Sequence, residues 1–296
     1  MDIVTYMKEK KVLVDTFMER YFSRTIVPDE LYRSITYSLS AGGKRIRPIL
    51  CLASYEACGG KTDDAVPYAA AFELIHTYSL IHDDLPAMDD DDLRRGKPTN
   101  HKVFGEGMAV LAGDGLLTEA FYLLSHERYA VASIPHSARL SAINEIADGS
   151  GIYGMVGGQA QDLLSENEDP DPETLFFIHR CKTAALITAA VKTGGILACC
   201  SEERLAGLAS YGKSTGLAFQ VIDDILDVVG ETAVLGKTAG SDEKNKKMTY
   251  PKLYGIEESG RKAKTLIENA VDALTVFDEK AEPLRAIAQC LLERKS

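Results

Sequence analysis

Residues 80–97 of the chain read LIHDDLPAMDDDDLRRGK, an apolar run followed by a dense cluster of acids and then by cations. Six aspartates fall within the ten residues from Asp83 to Asp92, directly before Arg94 and Arg95. Carboxylates at this density repel one another unless cations lie among them. Mg²⁺ prefers such oxygen ligands and bridges them to phosphates, which arginine binds in a bidentate manner. The stretch therefore predicts a metal-bridged diphosphate site, with a solvated acidic loop as the alternative.

Pro86 determines how these acids can meet. The apolar residues before the acidic cluster predict a buried helix that ends near Leu85, because proline disfavours helical backbone at the preceding residue. Asp89 is then reached through a turn, so it can approach Asp83 although six residues is a poor helical repeat. His76 lies seven residues before Asp83, two turns away on the same helix face. A structural histidine is the alternative interpretation of His76.

Cationic segments lie elsewhere in the chain. Residues 39–48 read LSAGGKRIRP, in which two glycines precede Lys44 and Arg47 and a proline suits the first turn of the next helix. Cations beside a helix N-terminus form a good anion site, and ordinary surface cations are the alternative. Lys182 stands in an otherwise apolar stretch, which favours a functional role. The lysine-bearing residues 236–251 are suited to closing over a bound diphosphate, with a surface loop as the alternative.

A second acidic segment, residues 216–227, reads GLAFQVIDDILD and contains no proline. Asp223 and Asp227 are four residues apart and therefore lie on one helix face, and Gln220 precedes them by one turn. Like charges at this spacing destabilise a helix, and here apolar residues flank them. The pattern favours a second functional acidic face over a solvated surface.

The composition narrows the class of protein. With 296 residues, 45% hydrophobic residues and a mean hydropathy of −0.09, the chain is typical of a globular protein with a sizeable core. The net charge of −11 argues against nucleic acids and anionic membranes as main partners. No uninterrupted apolar run reaches the roughly 18 residues of a membrane span, and the N-terminus resembles no signal peptide. The six cysteines form no metal or disulfide framework, which favours a cytoplasmic location.

Six motifs in order resemble one family, the trans-prenyltransferases, and within it the bacterial-type farnesyl diphosphate synthases. The motifs are GGKRIRP, LIHDDLPAMDDDDLRRG, GGQ, CKT, FQVIDDILD and GKTAGSD, between about residues 39 and 251. The resemblance implies an all-α fold, in which one domain over residues 1–296 forms a bundle of long, mostly antiparallel helices around a central cavity. It also implies a homodimer and an enzyme that needs Mg²⁺.

The resemblance assigns the aspartates to metal binding. Asp83 and Asp89, assisted by Asp84, would bridge Mg²⁺ to an allylic diphosphate. The remaining Mg²⁺ would be bound by a second group, formed by Asp223, Asp224 and Asp227. Three Mg²⁺ ions per active site are expected, with Mn²⁺ as an alternative.

The resemblance assigns the substrates to other residues. The allylic diphosphate would be held by cations, namely Arg94, Lys182, Lys237 and Lys247. Isopentenyl diphosphate would be held by a second set, namely Lys44, Arg47, His76 and Arg95. The reacting centre would be lined by the catalytic residues Lys182, Thr183 and Gln220.

Tyr78 offers a prediction of product length. It lies five residues before Asp83, about 7.5 Å along the helix axis, where a bulky side chain would act as a floor for the growing tail. Ser79 is small, so the floor depends mainly on Tyr78. Within the family, an aromatic residue here together with the Pro86-Ala87 insertion resembles enzymes that stop at fifteen carbons.

The predicted reaction is the Mg²⁺-dependent head-to-tail condensation of isopentenyl diphosphate with dimethylallyl and geranyl diphosphates, which gives (E,E)-farnesyl diphosphate. The allylic diphosphate ionises, and the alkene of isopentenyl diphosphate attacks the resulting cation. Two alternatives remain open: a geranylgeranyl diphosphate synthase with a deeper cavity, and a non-catalytic subunit of a heteromeric prenyltransferase. Because such subunits typically lose one aspartate motif, the two motifs of this chain favour the enzyme.

Overall fold

The computed structural model describes residues 2–23, 28–166, 171–229 and 248–293, and these residues are almost entirely α-helical. Strand pairing in this described part is confined to a hairpin of two very short strands, β1 (Leu93–Arg94) and β2 (Lys97–Pro98). The predicted all-α fold is confirmed.

Thirteen α-helices can be labelled within the described ranges, and they vary in length from five to 28 residues. They are α1 (Ile3–Tyr21), α2 (Asp29–Leu39), α3 (Ile46–Ala57), α4 (Thr62–Asp83), α5 (Asn100–Phe104), α6 (Glu106–Ser125), α7 (His136–Ser150), α8 (Met155–Leu164), α9 (Pro172–Ile178), α10 (Ala185–Leu197), α11 (Glu202–Val229), α12 (Tyr250–Asp272) and α13 (Glu282–Leu292). A π-helical segment, His179–Ala184, joins α9 to α10 without a break.

Helix α4 is buried on nearly every side, as its continuous apolar sequence predicts. It packs against α3 and α6, and Phe72, Leu74 and Ile75 are at most 1% exposed. The helix begins at Thr62, with two acidic residues in its first turn. Acids there interact favourably with the helix dipole and its unpaired N–H groups. The C-terminal end of this central helix carries the first aspartate motif.

Two hydrophobic clusters share α3 and α10. One surrounds α4 and α6, and the other lies between α11, α12 and α13. Neighbouring residues of α3, Leu50 and Leu52, belong to different clusters, as do Leu186 and Ile187 of α10. The free energy gained by burying these faces is roughly proportional to the apolar area removed from water. This packing fixes α4 and α11 against the α3–α10 pair.

The hairpin turns the chain sharply after the acidic cluster. Arg95 and Gly96 form its two-residue loop with φ angles of 55° and 74°. Positive φ at both central residues defines a type I′ turn, which suits the twist of paired strands. The register pairs Leu93 with Pro98 and Arg94 with Lys97. The sequence does not predict these strands, because two residues are too few to show an alternating pattern.

Two helical stretches are long and apolar enough to cross a membrane by length and composition alone, Glu106–Ser125 and Pro172–Leu197. In their most apolar windows, 39% and 61% of the residues are buried against the rest of the protein. Charged residues interrupt both stretches, in agreement with the absence of an uninterrupted apolar run. Core helices pass the same test, so it carries little weight.

Candidate active site

The first aspartate motif begins where α4 ends, and the turn predicted from Pro86 is present. The Asp89 amide donates a hydrogen bond of 2.8 Å to the carbonyl oxygen of Asp83, and the Met88 amide donates one of 2.8 Å to the carbonyl oxygen of Leu85. The backbone therefore folds back and places Asp89 beside Asp83. Helical geometry alone would not bring these two residues together.

Asp84, which follows the last residue of α4, is held by the hairpin. Only 3% of the residue is exposed, and Oδ1 accepts a hydrogen bond of 2.9 Å from Arg94 Nε and a second from Arg94 Nη2. Burial raises the pKa of Asp84 to about 6, and the attraction of the Arg94 guanidinium counteracts that shift. Arg94 also contacts Asp91 at 3.0 Å. Two predicted site residues, Asp84 and Arg94, thus hold each other.

Arg45 anchors the glycine-rich loop between α2 and α3, a role that the sequence does not reveal. Its backbone is left-handed, with a φ of 53°, and its side chain is buried. Arg45 donates hydrogen bonds of 2.8 Å to Asp15, 2.6 Å to Glu73 and 2.7 Å to the carbonyl oxygen of Leu39. A buried ion pair with several hydrogen bonds fixes a loop because removal of one partner leaves an uncompensated charge.

The same loop meets the hairpin. Arg95 Nη1 donates a hydrogen bond to the carbonyl oxygen of Gly42. A Cβ atom on Gly43, which has a φ of 127°, would lie 2.5 Å from Arg95 Nη1. Glycine is therefore required for this contact by both backbone angle and space. The contact joins two of the predicted isopentenyl diphosphate segments, and Lys44 is an exposed neighbour in the loop.

Arg47 and His76 lie in a buried cationic region. Burial lowers the pKa of Arg47 to about 10, an effect that Glu73 and Asp223 counteract and Arg95 reinforces. Arg47 Nε has no hydrogen-bond partner among the described residues. Burial, followed by the charge of Arg47 and neighbouring arginines, lowers the pKa of His76 well below its usual range. A neutral His76 can accept as well as donate a hydrogen bond.

The second aspartate motif lies on α11, and its central residue is the most firmly held. Asp224 is 3% exposed and lies 3.2 Å from His179 Nε2 of the π-helical segment. It accepts hydrogen bonds of 2.8 Å from Gln220 Nε2 and from the Tyr250 amide at the start of α12. Asp224 thus connects three parts of the fold. The charge of Asp223 counteracts the lowering of the Arg47 pKa by burial.

The π-helical segment presents the predicted catalytic residues. Lys182 Nζ lies 2.6 Å from Asp162 Oδ2 of α8, and Thr183 Oγ1 donates a hydrogen bond of 2.6 Å to Gln220 Oε1. π-Helical turns occur frequently at functional sites because the extra residue redirects side chains. Thr183, Gln220 and Asp224 therefore form a continuous hydrogen-bonded chain.

Asp162 is a residue that the sequence reasoning missed. It follows the GGQ motif by three positions, and 8% of its side chain is exposed. A buried aspartate is seldom tolerated without a partner, and Lys182 supplies the charge. The amide of Gln159, one turn earlier, is buried without a hydrogen-bond partner in the described part of the chain. The available signal was an aspartate among small residues in GGQAQD.

The carboxylate oxygens of the predicted metal ligands suit a hard cation, although the side chains are not gathered around one point. Asp83 and Asp89 supply carboxylates from one side, and Asp223 and Asp227 supply them from α11. Among the described residues, no group of three or more histidine, cysteine, aspartate or glutamate side chains is gathered closely enough to hold a metal ion. The metal-binding roles stay predictions, as do the substrate-binding roles. Two of the predicted substrate-binding residues, Lys237 and Lys247, lie outside the described residues.

Comparison with known proteins identifies the class. The family model described as polyprenyl synthetase matches residues 28–287. The chain is 47% identical over 296 residues to a geranylgeranyl diphosphate synthase of Cyanophora paradoxa, covering 100% of this chain and 97% of that protein. It is 46% identical over 269 residues to a farnesyl diphosphate synthase of Bacillus subtilis, covering 90% of each.

Solved structures agree in fold. The structure of a geranylgeranyl pyrophosphate synthetase from Pyrococcus horikoshii superposes with a TM-score of 0.88 at 33% identity, covering 99% of this chain and 98% of that one. An FPP/GFPP synthase from Zymomonas mobilis gives a TM-score of 0.87 at 35% identity, covering 98% and 99%.

A helical bundle that carries one aspartate motif at the end of its central helix and a second one on α11 is the architecture of an isoprenoid synthase. More specifically, the chain belongs to the polyprenyl synthetase family and is a short-chain trans-prenyltransferase. The names of its relatives divide between farnesyl and geranylgeranyl products.

Proposed function

We propose that the chain is a farnesyl diphosphate synthase, which joins isopentenyl diphosphate first to dimethylallyl diphosphate and then to geranyl diphosphate. The observation that carries the fifteen-carbon product is Tyr78, a bulky side chain that is only 7% exposed and lies on α4 five residues before Asp83. A tail that extends from the aspartate motif along α4 meets this ring after about 7.5 Å. The ring then limits the number of condensations.

The two aspartate motifs would hold Mg²⁺, with Mn²⁺ as a substitute. Asp84 accepts hydrogen bonds from Arg94, and Asp224 accepts them from Gln220 and the Tyr250 amide, so we assign these two carboxylates to supporting roles beside the metal. The ligands would be Asp83, Asp89, Asp223 and Asp227. When bound, the metal neutralises the charge that develops on the leaving diphosphate.

The allylic diphosphate would be held by Arg94 and Lys182, and Asp162 would orient the lysine. Lys237 and Lys247 belong to the same predicted set. Isopentenyl diphosphate would lie on the joined surface of the glycine-rich loop and the hairpin. Isopentenyl diphosphate would be held there by Lys44 of the loop, Arg95 of the hairpin, Arg47 in the first turn of α3 and His76 of α4. The guanidinium groups of Arg47 and Arg95 are partly buried, so water screens their attraction for an anion less than at an open surface.

The reaction follows from this placement. The allylic C–O bond breaks, and the diphosphate leaves with the electron pair. The alkene of isopentenyl diphosphate then forms the new C–C bond. Loss of a proton to the departing diphosphate restores a double bond. Thr183 and Gln220 would line the reacting centre, where the exclusion of water protects the cation from hydrolysis.

The deciding experiment is product analysis of the purified chain with Mg²⁺, isopentenyl diphosphate and each allylic starter. We expect dimethylallyl and geranyl diphosphates both to yield farnesyl diphosphate as the main product. Farnesyl diphosphate itself should be a poor starter. If the chain yields no condensation product from geranyl diphosphate, the proposed prenyltransferase activity is refuted. Efficient use of farnesyl diphosphate as a starter would refute only the assignment of a fifteen-carbon product.

A geranylgeranyl diphosphate synthase is the second candidate, favoured by the 47% identity to the Cyanophora paradoxa protein. Its tail would have to pass Tyr78. The small Ser79, which is partly buried beside it, is the feature of α4 that would permit this. The starter experiment separates the two products.

We also propose that the chain is one prenyltransferase domain over its 296 residues and acts as a cytoplasmic homodimer. The exposed apolar residues Val110 and Leu111 of α6 support self-association, being 40% and 55% exposed. Light scattering of the purified protein should give twice the mass of 32.2 kDa. A monomeric mass would refute the dimer.

A further inference from the structure

His82 lies one residue before the first aspartate motif and has no role in the reaction described above. Its ring stands edge-on to that of Tyr78, with the centroids 5.8 Å apart and an interplanar angle of 76°. The two residues are four apart on α4 and therefore share a helix face. Adjacent residues of a helix do not face each other, so the side chains of His82 and Asp83 leave α4 in different directions.

Helix α6 holds the His82 ring in place from the other side. His82 Nε2 lies 3.1 Å from the carbonyl oxygen of Val110. Because a carbonyl can only accept, the Nε2 atom carries the hydrogen of this bond. The nearest acid on α6, Asp114, is 4.0 Å away and mostly exposed. The imidazole is thus fixed by a hydrogen bond to the backbone of α6.

Gly113 provides the space for this ring. A Cβ atom at that position would lie 2.1 Å from His82 Nε2 and 2.5 Å from Cδ2. Any larger residue would displace the imidazole, so α6 has a slot for it one turn beyond Val110. Two independent features of α6, a hydrogen-bond acceptor and a glycine slot, therefore place the same ring against Tyr78.

We propose that His82 is the positioning residue of the product-length floor, and that it keeps the Tyr78 ring across the path of the growing tail. The inference rests on the proposed function, because it takes Tyr78 to be the floor. A tyrosine has two rotatable side-chain bonds, and an edge-to-face partner favours one orientation over the others. Without that partner the ring would yield to a longer tail. His82 thus determines specificity through Tyr78, without contact to substrate.

The test measures the ratio of twenty- to fifteen-carbon products with geranyl and isopentenyl diphosphates. In His82→Ala we expect this ratio to rise roughly two- to tenfold, as the loss of one aromatic pair allows. His82→Gln keeps a donor for Val110 but loses the ring, and should behave similarly. Gly113→Ala should do the same by filling the slot. The rate of the first condensation, from dimethylallyl diphosphate, should change less than about twofold because Asp83 is unaffected.

Two comparisons make the result specific. In a Tyr78→Ala background, His82→Ala should have no further effect on product length, since it acts through the missing ring. His126→Ala removes a matched but exposed histidine whose ring lies 4.9 Å from that of Tyr122, and should leave the product ratio unchanged. Melting temperatures of all variants identify those that merely unfold.

The outcomes separate the two proposals. A folded His82→Ala and a folded His82→Gln that both keep the wild-type product ratio would overturn the inference, as would an equal effect of His82→Ala with and without Tyr78. A wild-type chain that makes no condensation product would overturn the proposed function instead. If only Tyr78→Ala lengthens the product, the floor stands and its support by His82 is refuted.

Discussion

The two aspartate motifs use the same residues in different local structures. At the end of α4, a proline turn and a hairpin gather the acids of the first motif, whereas the acids of the second motif lie on the uninterrupted helix α11. In each motif the second aspartate of the Asp-Asp pair is 3% exposed and bound by the protein, Asp84 by Arg94 and Asp224 by three partners. An Asp-Asp pair therefore combines one structural carboxylate with one that we assign to the metal.

The largest expected effect concerns the assigned metal ligands. Asp83→Asn should lower kcat/KM roughly 10³-fold, because an amide cannot supply the charge that a divalent ion requires. Chelation of divalent ions by EDTA should abolish wild-type activity, and added Mg²⁺ or Mn²⁺ should restore it. Steady-state kinetics with geranyl diphosphate measure both effects.

Asp90→Asn is the matched control for Asp83→Asn. Asp90 belongs to the same acidic cluster, but its side chain is 62% exposed and lies 4.0 Å from Lys102. Its substitution should change kcat/KM less than about threefold, as exposed ion pairs contribute little. Equal losses in the two variants would show that overall charge, rather than a specific ligand, matters.

Removal of the Asp224 carboxylate in the second motif is expected to lower the stability of the protein. Asp224→Ala should reduce the free energy of unfolding by about 3 kcal/mol, because the Tyr250 amide and the Gln220 side chain lose their acceptor in a buried place. Urea denaturation measures the change. Glu268→Ala, at an exposed ion pair of α12, should cost less than about 0.5 kcal/mol. An Asp224→Ala chain as stable as the control would refute the division of roles in this motif.

Asp162 is predicted to affect the reaction indirectly, through its ion pair with Lys182. Lys182 precedes Thr183, which is hydrogen-bonded to Gln220 of the second motif. Asp162→Asn keeps the shape but removes the ion pair of 2.6 Å to Lys182. We expect kcat/KM for the allylic substrate to fall roughly 10- to 100-fold, as a misplaced cation binds the diphosphate poorly. KM for isopentenyl diphosphate should be unchanged.

The control for Asp162 is Glu145→Gln, which breaks a comparable pair between α7 and Lys192 of α10. Kinetics of this variant should match those of the wild type within about twofold. A general loss in both variants, with lower melting temperatures, would assign Asp162 to stability alone.

The smallest effect on rate is expected upstream of the first motif. Tyr78→Ala should leave the first condensation nearly intact but raise the share of twenty-carbon product about tenfold, because the floor is removed. Tyr78→Phe keeps the ring and should keep the product. Mass analysis of the hydrolysed products measures the chain length that each variant makes. An unchanged profile in Tyr78→Ala would place the limit on chain length elsewhere.

The helices and the proline turn could be predicted because their signals are local. Pro86 sets the end of α4, and the Asp223–Asp227 spacing specifies a helix face. The partner of Lys182 could not be predicted in this way, because Asp162 is 20 residues away and meets it only through the packing of α8 on the π-helical segment. Arg45 is a similar case. The sequence predicts substrate binding for its neighbours Lys44 and Arg47. The contacts of Arg45 with Asp15 and Glu73, by contrast, depend on the tertiary fold.

The close contact of Gly43 with Arg95 has a consequence for protein engineering. More than 50 positions separate the two residues, yet a side chain on Gly43 would overlap the guanidinium group of Arg95. A library that introduces side chains at position 43 would therefore have to vary position 95 as well. Both segments should be exchanged together when specificity is transferred between relatives. In this respect the two distant segments form a single exchangeable cassette.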